Sequence, residues 1–223
     1  MFIKSLALMG VLFLFGVVAS SHSSYAQTTE GQMMDKAGNT ICSTKADLEL
    51  RLAMRKIWEE HIVYTRNYII SALAGLEDKD AIAQRLLRNQ DDTGDIIKTY
   101  YGQEAGNKLA LLLRDHIMIA SDVVQAAKTD NNPELVKAQI KWSANTDDIS
   151  AFLGSINPYW AGNDMKVMLH KHLEYVAGEI FSRVKKDWVS DINAYDKGHR
   201  HMLMLSDILT DGIVKQFPDK FKE

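Results

Sequence analysis

Apolar side chains recur every three or four residues along almost the whole chain from about residue 43 onward, as they do in helices that bury one face. The 223 residues include only three prolines, and no apolar run alternates with period two between turn residues. This pattern predicts an all-α fold. The predicted helices lie near 45–76, 79–91 continuing through 93–101, 104–129, 133–154, 162–187 and 188–216, with breaks at Gly75, Gly94, Gly102, 130–133 and 157–158. Because the connections are short, neighbouring helices should be antiparallel and form an up-and-down bundle.

The N-terminus has the three parts of a secretory signal peptide. Lys4 provides the charged region, residues 6–19 form an apolar stretch, and Ser24 and Ala26 place small side chains at the −3 and −1 positions of a cleavage site. The sequence therefore predicts a signal peptide over 1–26, a polar leader over 27–44, a helical bundle over 45–217 and a short tail over 218–223, in a protein that is periplasmic or secreted. The alternative is an uncleaved anchor, although the apolar stretch is shorter than the ~20 residues that span a bilayer.

Charge and cysteine content narrow the kinds of partner and site to be expected. The chain has 26 basic and 29 acidic residues and no basic run that could follow a phosphate backbone, so nucleic acid is not an expected partner. Once the signal peptide is removed, no membrane partner is expected either. Cys42 is the only cysteine, which rules out an intramolecular disulfide and a thiolate metal cluster. No pattern in the sequence sets the oligomeric state.

Three histidines occupy positions where helical spacing calls for an apolar side chain. His61 lies in the stripe that includes Met54, Ile57 and Tyr68, and His116 begins a second copy of the same pattern. Asn89 follows His61 by 28 residues, and Asn145 follows His116 by 29. An aspartate stands three residues after each asparagine, on the border of the same helix face. These aspartates are Asp92 and Asp148, and a third histidine, His172, lies in the stripe of Met165, Leu169, Val176, Glu179 and Arg183.

Inward polar groups from several helices must find one another, water or a ligand, because a buried unpaired polar group costs about 1–3 kcal/mol. Imidazole beside carboxamide and carboxylate suits a small ligand or a divalent transition metal. We expect His61, His116 and His172 to be the metal ligands if a metal is the cofactor. We expect the asparagines and aspartates to bind the ligand or to orient the imidazoles. These four are Asn89, Asp92, Asn145 and Asp148. The pattern assigns no catalytic residue.

The same residues leave other interpretations open. The polar network can serve only to fix the register of the helices, in a structural or interaction protein, and an enzyme remains a third alternative. A further metal hypothesis uses two clusters of thioether and imidazole side chains, which suit copper. These clusters are Met165, Met168, His170 and His172, and His199, His201, Met202 and Met204.

Several strings resemble a family of small bacterial all-helical proteins that occur with and without signal peptides. The resemblance spans roughly residues 48–221 and is carried by WEEHIVYTRNYIISAL, LLRNQDDTGDIIKTYYG, LLRDHIMIASDVVQAAK, WSANTDDISAFL, INPYW and DGIVKQFPDKF. It implies a helical fold and marks the family's recurring polar residues, which correspond here to His61, Asn89, Asp92, His116, Asn145 and His172. The resemblance implies no established activity. Members often bear automatic labels such as glycosyltransferase or acetylglutamate kinase, which conflict with a chain that has no α/β framework and no glycine-rich phosphate loop.

Overall fold

The structure is a computed structural model that describes residues 33–34, 40–42 and 44–222. The predicted signal peptide and most of the predicted leader lie outside these residues. Two short strands, β1 (Met33–Met34) and β2 (Thr40–Cys42), form a two-stranded sheet that the sequence pattern did not predict, because segments this short show no periodicity. The chain divides after Ile41 into two compact units, the second of which contains all helices of the described residues.

The predicted all-α bundle is confirmed. The five α-helices of the described part are α1 (Lys45–Ala74), α2 (Lys79–Lys128), α3 (Asn132–Ile156), α4 (Asn163–Val184) and α5 (Trp188–Gln216). Two short 3₁₀ turns, Pro158–Trp160 and Pro218–Phe221, follow α3 and α5. The second turn belongs to the predicted tail, yet Phe221 is buried in the core.

Helix α2 consists of two antiparallel arms, 79–101 and 103–128, joined at Gly102, whose backbone is non-helical with φ of 84°. The sequence also predicts a break at Gly94, and this prediction is wrong. Gly94 is helical and lies where the two arms touch, because a Cβ added there would be only 2.7 Å from the carbonyl oxygen of Gly106. Glycine at this position therefore allows close packing of the arms rather than ending a helix.

Local signals set most of the other helix ends. Thr44 and Asn131 accept hydrogen bonds from the backbone N–H groups of Asp47 and Glu134 at the starts of α1 and α3. Gly75 ends α1 in the left-handed region with φ of 70°. These caps explain why the predicted and observed boundaries differ by only a few residues.

Each helix packs against the next one along the chain, and α1 packs against α5, so the helices form a closed ring. The core has two apolar clusters, one containing Met54, Trp58 and Met202 and the other containing Trp142 and Val176. None of the helices in the described part of the chain is both long enough and apolar enough to cross a membrane.

A buried ion network links α1, α4 and α5. The guanidinium of Arg66 contacts Glu179 at 3.0 Å and forms a two-pronged ion pair with Asp191, one contact of which is 2.8 Å. Arg183 binds the same aspartate at 2.8 Å. Glu179 is 3% exposed and Asp191 1%, so both carboxylates depend on the two arginines for their solvation.

Candidate functional site

The three histidines predicted from the sequence meet inside the bundle. The ring centroid of His172 lies 5.7 Å from that of His61 and 6.2 Å from that of His116. All three side chains are buried, with exposed fractions of 3%, 6% and 4% for His61, His116 and His172. In α4, His172 lies between Leu169 of the first apolar cluster and Leu173 of the second, so the imidazoles form a polar layer where the two clusters meet.

Both ring nitrogens of His116 are hydrogen-bonded. Its Nδ1 lies 2.8 Å from Oδ1 of Asn145, and its Nε2 lies 3.0 Å from the indole nitrogen of Trp142. The Asn145 amide is oriented by its own bond to the carbonyl of Leu112, and an indole N–H can only donate. The network therefore assigns the proton of His116 to Nδ1 and leaves Nε2 as the acceptor.

His61 is bonded to Gln90, a residue that the sequence pattern missed. The Gln90 amide nitrogen lies 3.3 Å from Nδ1 of His61, 2.8 Å from the carbonyl oxygen of Leu86 and 3.1 Å from Oδ1 of Asn89, so its two hydrogens serve three acceptors. Asn89 itself donates to the carbonyl of Ile57. Asn89 thus positions Gln90 rather than touching the imidazole. Gln90 lies about 100° around the helix axis from Asn89, so the apolar spacing that marked Asn89 did not mark Gln90, although both are fully buried.

His172 differs from the other two because its Nδ1 is buried without a hydrogen-bond partner among the described residues. Its ring lines an internal cavity of about 30 Å³ that is also lined by His61 and His116. A cavity of this volume has room for one or two water molecules, or for one ion. The indole Nε1 of Trp58, another lining residue, also has no hydrogen-bond partner within the described part of the chain.

The predicted aspartates do not join this cluster. Asp92 has a side chain that is 41% exposed and lies 4.0 Å from Arg85, and Asp148 is exposed. A residue three positions after the asparagine lies about 60° around the helix axis from it, at the edge of the inward face, and both aspartates lie on the solvent side of that edge. The two sequence clusters of methionine and histidine also separate, because His170 bonds to Asp147 at 2.6 Å and His201 donates to the backbone of Met168.

Burial keeps the imidazoles uncharged. Desolvation, with a contribution from His116, lowers the pKa of His61 to about 3, and desolvation lowers the pKa of His116 to about 4. Desolvation, followed by the influence of the other two imidazoles, holds the pKa of His172 well below its ordinary value. A second proton on His116 would also point its Nε2–H at the N–H of Trp142.

The hydrogen bonds also limit what the predicted metal ligands can do. Within the described residues, no group of three or more His, Cys, Asp or Glu side chains is arranged to hold a metal ion. His116 would have to lose its bond from Trp142 before its Nε2 could ligate. Of the three imidazoles, His172 is the one that has no hydrogen bond to any described residue.

Replacing Trp142 with phenylalanine removes the donor to Nε2 of His116. We expect the free energy of unfolding to fall by about 1–3 kcal/mol, because a buried acceptor loses its partner. The pKa of His116, measured by NMR, should rise because its Nε2 can then accept a proton without opposing the indole N–H. Trp188→Phe is the matched control, since Trp188 is 51% exposed and should change stability little. An unchanged His116 pKa in Trp142→Phe would contradict the assignment.

No protein-family model matches the sequence, and comparisons with the curated proteins and with the solved structures also return no match. The resemblance to a bacterial helical family therefore stays a prediction.

Proposed function

We propose that this chain is an exported binding protein that holds a small ligand or an ion in the central cavity beside His172. The observation that carries the proposal is that His172, whose Nδ1 has no hydrogen-bond partner among the described residues, lines a cavity of about 30 Å³. A buried nitrogen without a partner costs about 1–3 kcal/mol, which a bound molecule that bonds to it would offset. The cavity is several times smaller than the roughly 150 Å³ that admits a benzene ring, so the ligand is an ion or a molecule of very few atoms.

The alternative is that the polar layer only fixes the register of the helices. The bonds of His116 to Asn145 and Trp142 favour this role for that part of the layer, because they use every polar atom of the ring. The two roles are compatible if His116 and Asn145 hold α2 and α3 in place while His172 contacts the ligand.

Native mass spectrometry of the protein purified without an affinity tag tests the binding role. We expect a bound mass that is lost on unfolding and refolding in the presence of chelator, together with a fall in melting temperature, because a ligand that binds only the native state stabilises it. The variant His172→Leu should carry no bound mass and should melt at the same temperature before and after refolding.

The controls are designed to separate ligand binding from general stability. His170→Leu is the matched control, because His170 lies on the partly exposed side of the same helix and should keep the bound mass. The proposal is overturned if the wild-type protein has no bound mass before refolding, has the same melting temperature afterwards and binds none of xenon, Zn²⁺ or Cu⁺. The register-fixing role would then remain.

Export is part of the same proposal. Production of the full chain in a bacterial host should yield a periplasmic or secreted protein whose first residue is Gln27, as determined by intact mass. A cytoplasmic product that retains residues 1–26 would overturn the export assignment without affecting the cavity.

A further inference from the structure

We propose, building on the binding role above, that the central cavity is a site for monovalent copper held by the thioethers of Met54 and Met202 and the imidazole of His172. This site uses a different set of residues from the two sequence clusters of methionine and histidine. It joins three helices, because Met54 lies on α1, His172 on α4 and Met202 on α5.

Placement and burial support these three ligands. All three side chains line the same cavity of about 30 Å³, and Met54 and Met202 are each only 1% exposed. The other residues at the cavity wall are mostly aliphatic, so an ion bound there would be shielded from solvent. A volume with room for one or two water molecules also fits one ion without bound water.

The lining of the cavity favours a soft monovalent ion over a hard divalent one. Among the described residues, no aspartate, glutamate or cysteine lines it, so a divalent ion would bring two positive charges into an apolar interior without an anionic ligand. Thioether sulfur is a soft ligand that selects copper in its monovalent state, and imidazole is suitable for copper as well. A site built from sulfur is also consistent with the absence, in the described part of the chain, of any His, Cys, Asp and Glu group able to hold a metal.

His172 is the imidazole best placed to ligate. His116 uses both ring nitrogens in hydrogen bonds, and His61 uses Nδ1 in its contact with Gln90. The Nδ1 of His172 has no hydrogen-bond partner in the part of the chain that the structure describes, so this ring does not have to give up a hydrogen bond to ligate an ion.

Competition with the chromophoric chelator bicinchoninate under anaerobic, reducing conditions measures binding of Cu⁺ to the full mature chain. We expect one equivalent to bind, and we expect Met54→Leu, Met202→Leu and His172→Leu each to weaken binding at least tenfold. Leucine and methionine have similar volumes, so these substitutions should preserve the fold. Met204→Leu is the matched control, because Met204 is 53% exposed on the same helix as Met202 and should bind like wild type.

X-ray absorption on selenomethionine-labelled protein gives a measurement that needs no variant. Loading with Cu⁺ should place a copper neighbour beside selenium, whereas Zn²⁺ should produce no such neighbour and no rise in melting temperature. Wild-type affinity in both Met54→Leu and Met202→Leu, or a selenium spectrum without copper, would overturn the copper assignment.

The failure of this inference and the failure of the proposed function are distinguishable. If Cu⁺ does not bind but the native protein carries another mass that His172→Leu lacks, the copper assignment falls and the binding role stands. If the native protein carries no bound mass and none of Cu⁺, Zn²⁺ and xenon binds, both fall.

Discussion

Lowering the pH from 7 to 5 is expected to destabilise the protein strongly, because its buried histidines stay neutral in the folded state and become charged in the unfolded chain. The pKa of His61 is about 3 and that of His116 about 4 in the fold, against about 6.5 when unfolded. Between these values the unfolded state binds more protons, so stability is fully present above pH 6.5 and is lost as the pH falls. Each of these two histidines contributes a loss of about 2 kcal/mol between pH 7 and 5, and His172 adds to it in the same direction.

Glu179 opposes this trend. Burial raises its pKa to about 7 although Arg66 lowers it, so the folded state takes up a proton at Glu179 in the window where the unfolded carboxyl is still ionised. This uptake stabilises the fold as the pH falls and offsets about 2 kcal/mol, close to the share of one histidine. The net loss of stability between pH 7 and 5 is therefore expected to be close to the share of two of the three histidines.

Urea unfolding at a series of pH values, in the absence of metal, measures the number of protons taken up on unfolding from the slope of stability against pH. We expect His172→Leu to reduce this slope by close to one proton near pH 5 and Glu179→Gln to steepen it near pH 6. The matched control is His170→Leu, because the His170 side chain is 30% exposed and lies outside the cluster of three buried imidazoles. A wild-type stability that stays flat between pH 7.5 and 5 would contradict the prediction.

Replacing Arg66 with leucine is expected to lower the free energy of unfolding by about 3–5 kcal/mol, the cost of removing one partner from a buried ion pair. Arg66 is the only described cation that contacts Glu179 within ion-pair distance, and it also binds Asp191. Without it, Glu179 has no ion-pair partner among the described residues, and Asp191 keeps only Arg183. Circular dichroism with urea as denaturant gives the change in stability.

Two further variants distinguish the loss of the ion network from a general effect of replacing a helical arginine. Arg66→Leu combined with Glu179→Gln should recover part of the lost stability, because the glutamine is uncharged and Asp191 keeps Arg183. Arg88→Leu, which replaces an exposed arginine, should change stability by no more than about 0.5 kcal/mol. An Arg66→Leu protein within 1 kcal/mol of wild type would show that the carboxylates are solvated in another way.

The identity of the histidine cluster could be predicted from sequence, but its bonding could not. Helical spacing identified His61, His116 and His172 as inward residues, because a period of 3.6 fixes which side chains share a face. The same spacing put Asp92 and Asp148 on the border of that face, and the structure places them outside the cluster. Border positions depend on how each helix is rotated about its axis, which packing against its neighbours decides. The partners Gln90 and Trp142 were set by that same rotation.

The buried ion network, too, could be predicted from the sequence only in part. Glu179 lies on the inward stripe of α4. Arg66 comes from α1, more than a hundred residues earlier in the chain, and Asp191 comes from α5, twelve residues later. No local pattern relates these three positions, because the pairing exists only once α1 closes against α5.

By itself the sequence determined the all-α fold, nearly all helix ends and the inward placement of the three histidines, since these follow from periodicity and from caps within a few residues. Only the tertiary structure decided that both ring nitrogens of His116 are hydrogen-bonded, and that His172, which lines a cavity with Met54 and Met202, has a nitrogen without a partner among the described residues. The physical reason is that hydrogen bonding and cavity shape depend on ångström-scale distances between helices. Sequence spacing fixes the face of each helix but not its rotation and depth against its neighbours.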